Sequence, residues 1–461
     1  MKGKIKALRK KLGTVSSSEK AKIFCKLFLR LIGIRKCLFL GGFREEEDER
    51  QEQEDSRVYN GLLDTGAEKN RKSEKTVCWS KYVALMTETL DVGGLEEVVK
   101  LLAGEYRKRA VPIQVFCAKE GGCVAKQLEK EGIEVHIFHG NQKLFRNYVK
   151  KAPPQLINTH CVNSFVEEIA QMGIPIVEVI HNMYVFCTHK QLLWENKKAQ
   201  FISQYIAVSQ LAKDIYRIKV PAALEKDITV IGNAGKTLQN TSTDSRAVLR
   251  RQLKIQDDDF VLISVGNIDP RKNQLGIVRA WSIVQKLRPD SGQLLLAGKE
   301  SDIHYARKVK EIIHRRDLDS KVRILGQRND IEQLLDAADA VIIDSYYEGW
   351  SMAATEALCK GVPLIHSFCG SGTELIANGH NGYLTGMPLK KIVSMDNVEL
   401  YDAMCAGLND NMQETVKAIL RIMDEKAIWR IKKGEIKRYA EAHFSTNEMV
   451  EAYLDVYKKF L

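Results

Sequence analysis

Residues 340–383 read AVIIDSYYEGWSMAATEALCKGVPLIHSFCGSGTELIANGHNGY. The stretch opens with an apolar run, 341–343, suited to a buried parallel strand. A polar and aromatic loop follows at 344–350. Ser351 is an N-cap, and the good helix formers 352–358 carry a helix onward. Lys360 and Gly361 end it, as a basic last turn and a C′ glycine do. Residues 363–366 form the next strand. The unit is strand, loop, helix, strand, which is one crossover of a parallel sheet.

Two carboxylates bracket the place where such a unit binds ligand. Glu348 lies in the loop at the carboxyl end of the strand, and Glu356 lies inside the helix, with seven residues between them. The loop of an open parallel sheet at that end is the usual ligand crevice. Unpaired backbone N–H groups at Trp350, Ser351, Met352 and Ala353 face it, and with the positive end of the helix dipole they suit phosphate. Carboxylates beside a phosphate site fit the hydroxyls that flank a diphosphate, with ribose on one side and hexose on the other. Spacing alone favours a solvated loop glutamate and a surface helix glutamate.

The pattern E-x7-E in EGWSMAATEAL, before a GxPLI strand and GSGTELIANGHNGYL, resembles the carboxyl-terminal signature of retaining glycosyltransferases of family 4 and their GT-B relatives. Residue type, order and spacing agree over roughly forty residues, and the resemblance reverses the balance in favour of function. It implies a GT-B fold, with two Rossmann-like parallel-sheet domains facing a cleft. It also implies transfer of a hexosyl group from a nucleotide diphosphate sugar to an acceptor hydroxyl (EC 2.4) with retention, and no metal or other cofactor. Glu356 would hold the ribose hydroxyls, Glu348 those of the donor sugar, and Gly349 to Met352 the diphosphate.

With 461 residues, 44% apolar and 28% charged, the chain has the length and composition of a soluble two-domain protein. No run reaches the eighteen or so apolar residues of a membrane-spanning helix. Ten scattered cysteines, from Cys25 to Cys405, form no CxxC and no zinc spacing, which reads as reduced thiols in a cytoplasmic protein. Residues 1–40 hold twelve Lys/Arg and one acid, so the net charge of +11 belongs to them and the remaining 421 residues carry 58 of each sign. That argues against a nucleic-acid-binding body and for a basic appendage.

Residues 1–43 form that appendage. Lys22, Lys26 and Arg30 make one stripe, and Ile23, Phe24, Leu27, Phe28 and Leu31 make the opposite face of an amphipathic helix. Such a helix suits either an anionic membrane surface, placing the protein peripherally on the inner face, or packing on the body. Residues 44–75 include the run REEEDERQEQEDSR, which has no apolar residue and reads as a disordered linker.

The amino-terminal, acceptor-binding domain is expected over 76–240. It has strands at 83–86, 113–117, 135–138, 156–158, 176–180, 205–208 and 228–231. Gly93 and Gly94, after the first strand in DVGGLEEVV, leave room for close approach of a ligand, and they resemble the glycine loop of GT-B enzymes. His181 ends the strand in VEVIHN. A strand-end histidine is more often structural, but the family commonly has one near the donor sugar. His160 in LINTH is a weaker candidate of the same kind. Ser209 reads as a helix cap, and Asn233 as a turn leading out of the domain. A linker falls near 235–245.

The nucleotide-sugar-binding domain is expected over 241–445, with strands at 261–265, 294–297, 323–325 and 341–343, and 446–461 forms a last helix. The loop after its first strand is GNIDPRKN. In the family a glycine-arginine pair stands here, with a lysine five residues past the arginine. Lys272 matches the lysine, Asn267 replaces the arginine, and Arg271 is the candidate substitute. A histidine, a lysine and a glutamate, His181, Lys272 and Glu348, are thus the catalytic candidates. Gly93, Gly94, Asn267, Arg271, Lys272, Gly349, Trp350, Ser351, Met352 and Glu356 are the donor-binding ones. Glu374 is expected to cap or shape the crevice. The partners implied are a nucleotide-sugar donor and a glycan or lipid-linked acceptor of cell-envelope or other glycan biosynthesis. Asn267 also admits an alternative, a catalytically weak glycosyltransferase-like partner or membrane-associated scaffold.

Overall fold

The computed structural model describes residues 79–91, 93–235, 245–289 and 292–461. The basic appendage, the acidic linker, Val92 and most of the interdomain linker lie outside the described residues.

Two all-parallel sheets carry the fold, as expected. The first has seven strands: β1 (Val83–Leu90), β2 (Ile113–Gly121), β3 (Glu134–Ile137), β4 (Leu156–His160), β5 (Ile176–Ile180), β6 (Gln204–Ala207) and β7 (Ile228–Val230). Their order is β3-β2-β1-β4-β5-β6-β7. The second has β8 (Phe260–Val265), β9 (Gly292–Ala297), β10 (Val322–Gly326), β11 (Ala340–Ile343), β12 (Leu364–Ser367) and β13 (Gly382–Thr385), in the order β10-β9-β8-β11-β12-β13. Helices alternate with the strands along the chain, and the inner strands of each sheet are apolar and buried, while the edge strands β3, β7 and β10 are partly exposed. In β4, β5 and β6 every residue is buried. Each fully buried Val, Leu, Ile or Phe contributes roughly 1.5–3 kcal/mol.

This order fixes where ligand can sit. The chain winds outward from β1 to β3 and then returns to β4 on the other side of β1, and it does the same around β8 and β11. Between those neighbours the loops leave the sheet in opposite directions and open a crevice at the carboxyl ends. The loop after β1 carries Gly93 and Gly94, β4 ends on His160, and the loops after β8 and β11 carry Lys272 and Glu348.

The carboxyl-terminal helix Thr446–Tyr457 crosses back to the first domain. Tyr457 donates to Asn158 on β4 at 2.7 Å, and Lys459 pairs with Asp227 at 3.0 Å. Met449, Tyr453, Val456 and Tyr457 are buried. The last helix, expected to run to 461, ends at Tyr457, and the chain leaves in a 3-10 turn, Lys458–Phe460, with Leu461 50% exposed. Strand β13 was not anticipated. It is four residues long and starts on a glycine, so no apolar run announces it.

Candidate functional site

The helix Met352–Cys359 starts where expected. Ser351 accepts from Ala354 N through its side chain, and Lys360 closes the other end. Of the four amides expected to be open, Ser351 N–H is taken by Ser371 Oγ at 3.1 Å. Those of Met352 and Ala353 have no protein acceptor among the described residues. Met352, Ala353 and Glu356 are the partly exposed residues of the first helical turns. Spacing of i, i+1 and i+4 sets them on one face, so Glu356 stands one turn along from the open amides.

Trp350 is expected to contribute its backbone N–H, and its side chain has a separate, packing role. Its indole is 9% exposed, sits edge-on to Phe444 and donates to Thr355 Oγ1 at 2.8 Å. The ring packs between the domains' side chains and is not offered to a ligand.

Glu348 is 4% exposed. One carboxylate oxygen takes hydrogen bonds from Lys272 Nζ and, at 2.8 Å, from Ser345 Oγ. The other lies 3.8 Å from Arg271. Burial alone would raise this carboxyl group, but Lys272 and Arg271 outweigh it and hold the pKa down to about 2. The glutamate is therefore an ionised acceptor across the whole physiological range.

The loop that brings the cations is tightly built. Asp269 caps a 3-10 turn, Pro270–Lys272, and the Arg271 carbonyl accepts from Tyr346 N at 2.9 Å. Asn273, in the left-handed region at φ 55°, donates through its side chain to Asp344 at 2.8 Å. Asn409 and Asn411 donate to the same carboxylate at 3.0 and 2.9 Å. Burial raises the Asp344 carboxyl to about 7 against those three amides. Asp344 was not singled out in the sequence. An acidic residue at the end of an apolar strand was the available signal, but its three partners are distant in the chain. Asn267 is exposed at the mouth of the loop, and its carbonyl accepts from Gln274 at 2.8 Å. Arg271 and Lys272 are partly buried rather than a plain surface pair.

The first domain meets this loop at Gly349. A Cβ built there would stand 1.8 Å from the His181 carbonyl oxygen, so only glycine allows the approach. His181 Nε2 is 2.8 Å from His160 Nδ1, and burial lowers the His181 pKa to about 4. Beyond His181, Phe186 stacks on Tyr347 with centroids 5.4 Å apart. Met183, Val185, Leu211 and Ile215 share one apolar cluster with Tyr346, Leu389 and Leu400. Glu374 reaches the first domain too, accepting from Gln210 N at 2.6 Å. It caps a helix whose N-cap is Ser209, as the sequence indicates for Ser209. Gly93 is in extended backbone, with the Glu96 carboxylate where a Cβ would go, while a Cβ on Gly94 meets nothing within 4 Å. Among the described residues no cluster of His, Cys, Asp or Glu has metal-binding geometry.

Residues 245–391, which carry the whole second sheet, match the family model "Glycosyl transferases group 1". Over 182 residues, 38% of this chain, the sequence is 28% identical to UDP-Gal:alpha-D-GlcNAc-diphosphoundecaprenol alpha-1,3-galactosyltransferase of Escherichia coli. The chain spans 40% of that relative's length. Among solved structures, a glycosyltransferase from Rickettsia africae superposes with a TM-score of 0.68 at 18% identity, covering 83% of this chain and all but 1% of the other. HepE of Anabaena in complex with UDP gives 0.62 at 21%, covering 82% of this chain and 100% of its own. The fold is GT-B.

Proposed function

We propose that this GT-B protein, matched by the group 1 model over residues 245–391, is a retaining glycosyltransferase of family-4 type. It moves a sugar from a nucleotide diphosphate sugar to an acceptor hydroxyl in glycan biosynthesis. The observation that carries the reading is the grouping of Lys272 and Arg271 on the ionised Glu348, just ahead in the chain of a helix start whose Met352 and Ala353 amides have no protein acceptor among the described residues.

In this reading the diphosphate rests on the helix start, where amide dipoles are already aimed at it. Lys272 has three N–H donors and uses one on Glu348. The others stabilise charge that develops on the leaving diphosphate as the glycosidic bond breaks. Arg271 takes the part of the arginine that Asn267 replaces. Glu348 accepts from hydroxyls of the donor sugar, and Glu356 from those of the ribose. Gly94 leaves room for the ligand on the first domain's side. A dry, closed crevice limits loss of the donor to water. Nothing in the step calls on a metal. The Escherichia coli relative and the UDP-bound HepE support a UDP-linked donor and a lipid-linked or glycan acceptor. Residues 1–40 would add a contact with an anionic inner membrane surface.

The alternative, a weakly active partner protein, draws on the exposed Asn267 and on cations already paired with Glu348. Thermal melting with UDP-, GDP- and ADP-sugars separates the two. A ligand at a hundred times its Kd stabilises by about 2.7 kcal/mol. A rise in melting temperature with one base supports the enzyme, and none with any of the three contradicts it.

A further inference from the structure

His181 is the end of a hydrogen-bonded chain that runs through the first sheet to the last helix. Its Nε2 is 2.8 Å from His160 Nδ1, and His160 Nε2 is 3.0 Å from Asn158 Oδ1. Tyr457 donates to the same Asn158 oxygen at 2.7 Å, with Tyr106 donating to Tyr457 at 3.2 Å. His160, Asn158, Tyr457 and Tyr106 are each 1% exposed or less. The register of β4 on β5, which pairs His160 with Val179, brings the two imidazoles together.

The direction of this chain is settled at one contact. Asn158 Nδ2 donates to the Val177 carbonyl at 2.7 Å. Turning the amide over would set two acceptor oxygens against each other, so Oδ1 faces His160 and only accepts. His160 Nε2 must carry the hydrogen. Burial pushes His160 well below the usual imidazole range and His181 down to about 4. Both rings are therefore neutral, with one N–H each. His160 Nδ1 is then a bare acceptor, and His181 Nε2–H is the donor that meets it. His181 Nδ1, on a partly exposed side chain, has no partner among the described residues.

We infer that the buried chain Tyr457–Asn158–His160 holds His181 as the Nε2–H tautomer, with Nδ1 left as a bare acceptor, so that the ligand group meeting it is a hydroxyl and not an anionic oxygen. His160 is a positioning residue and touches no ligand. That the hydroxyl belongs to a donor sugar rests on the function proposed above; the tautomer does not.

The test uses the full chain labelled with 15N-histidine, with His181 assigned among the ten histidines by comparison with His181→Gln. The inference expects a slowly exchanging proton on His181 Nε2 and none on Nδ1. His160→Gln keeps both polarities, since its carbonyl accepts from His181 and its amide donates to Asn158. It should retain the protected proton and a donor KM within about twofold. His160→Phe should lose the protected proton and raise donor KM about tenfold, the worth of one hydrogen bond, with kcat nearly unchanged. A proton on His181 Nδ1, or a protected Nε2 proton that survives His160→Phe, overturns the inference. Absence of any sugar transfer by the wild type would sink the donor reading, while the nitrogen spectrum would still decide the tautomer.

Discussion

Lys272 Nζ donates to Glu348 Oε1 across 76 positions of sequence, tying the loop after β8 to the loop after β11. With Glu348 buried, the pair has a consequence for stability as well as for ligand binding. The glutamate's pKa is depressed from 4.5 to about 2. A depressed carboxyl pKa stabilises the fold above the unfolded value and loses that contribution as pH falls through the folded one. Wild-type stability should therefore decline from about pH 4.5 toward 2. Lys272→Ala leaves Glu348 with only Arg271 and Ser345, and should cost about 2 kcal/mol at pH 7. The deficit should shrink in acid. Urea unfolding at pH 7 and pH 3 checks this, and an equal loss at both pH values would count against it.

Glu356→Ala should weaken nucleotide binding by roughly tenfold or more, the loss expected when a charged acceptor is removed from hydroxyl donors. The side chain is partly exposed, so the melting temperature without ligand should stay within about a degree or two. Calorimetric titration with UDP, GDP and ADP reads the affinity. An unchanged Kd would remove Glu356 from the ribose.

Two glycines give a contrast. Gly349→Ala drives a methyl group into the His181 carbonyl and should destabilise by about 1–3 kcal/mol, because neither backbone can yield easily. Gly94→Ala meets only open space and starts a helix, so it should be neutral or slightly stabilising. If ligand occupies that space, the same variant should raise donor KM while melting as well as the wild type. Melting curves and donor titrations of both proteins distinguish these outcomes.

Asp344→Ala takes an acceptor from three buried or half-buried amides, those of Asn273, Asn409 and Asn411, of which Asn411 keeps Thr385 and Gly386. Loss of partners on this scale should cost about 3 kcal/mol or more. It should also loosen the turn that presents Lys272, so kcat should fall as well. Wild-type stability in denaturant melts would contradict the scaffold role.

Much of this architecture was readable because strand and helix periods differ. Residues 176–180 form the strand their apolar run indicates, and Ser351, Lys360 and Gly361 bound their helix as cap chemistry requires. The candidates on strand ends converge because parallel strands present all their carboxyl ends at one edge. What stayed hidden depends on contacts between distant positions. No spacing rule sets Asn409 and Asn411 on Asp344, or pairs His160 with His181. Trp350 sits in a loop full of candidates, yet its ring is fixed by Gly232 and Phe444, far away in the chain. Ser371 takes an amide expected to be open for the same reason.

The most direct measurement is nucleoside diphosphate release from UDP-, GDP- and ADP-sugars by the wild type and by Lys272→Ala, with acceptor glycans or lipid-linked sugars present and EDTA added. Acceptor-dependent release with one donor is expected, untouched by EDTA and giving a product of the donor's anomeric configuration. A fall of about a hundredfold or more is expected in Lys272→Ala. Equal rates from the two proteins, or no release from any donor, would contradict the proposed function.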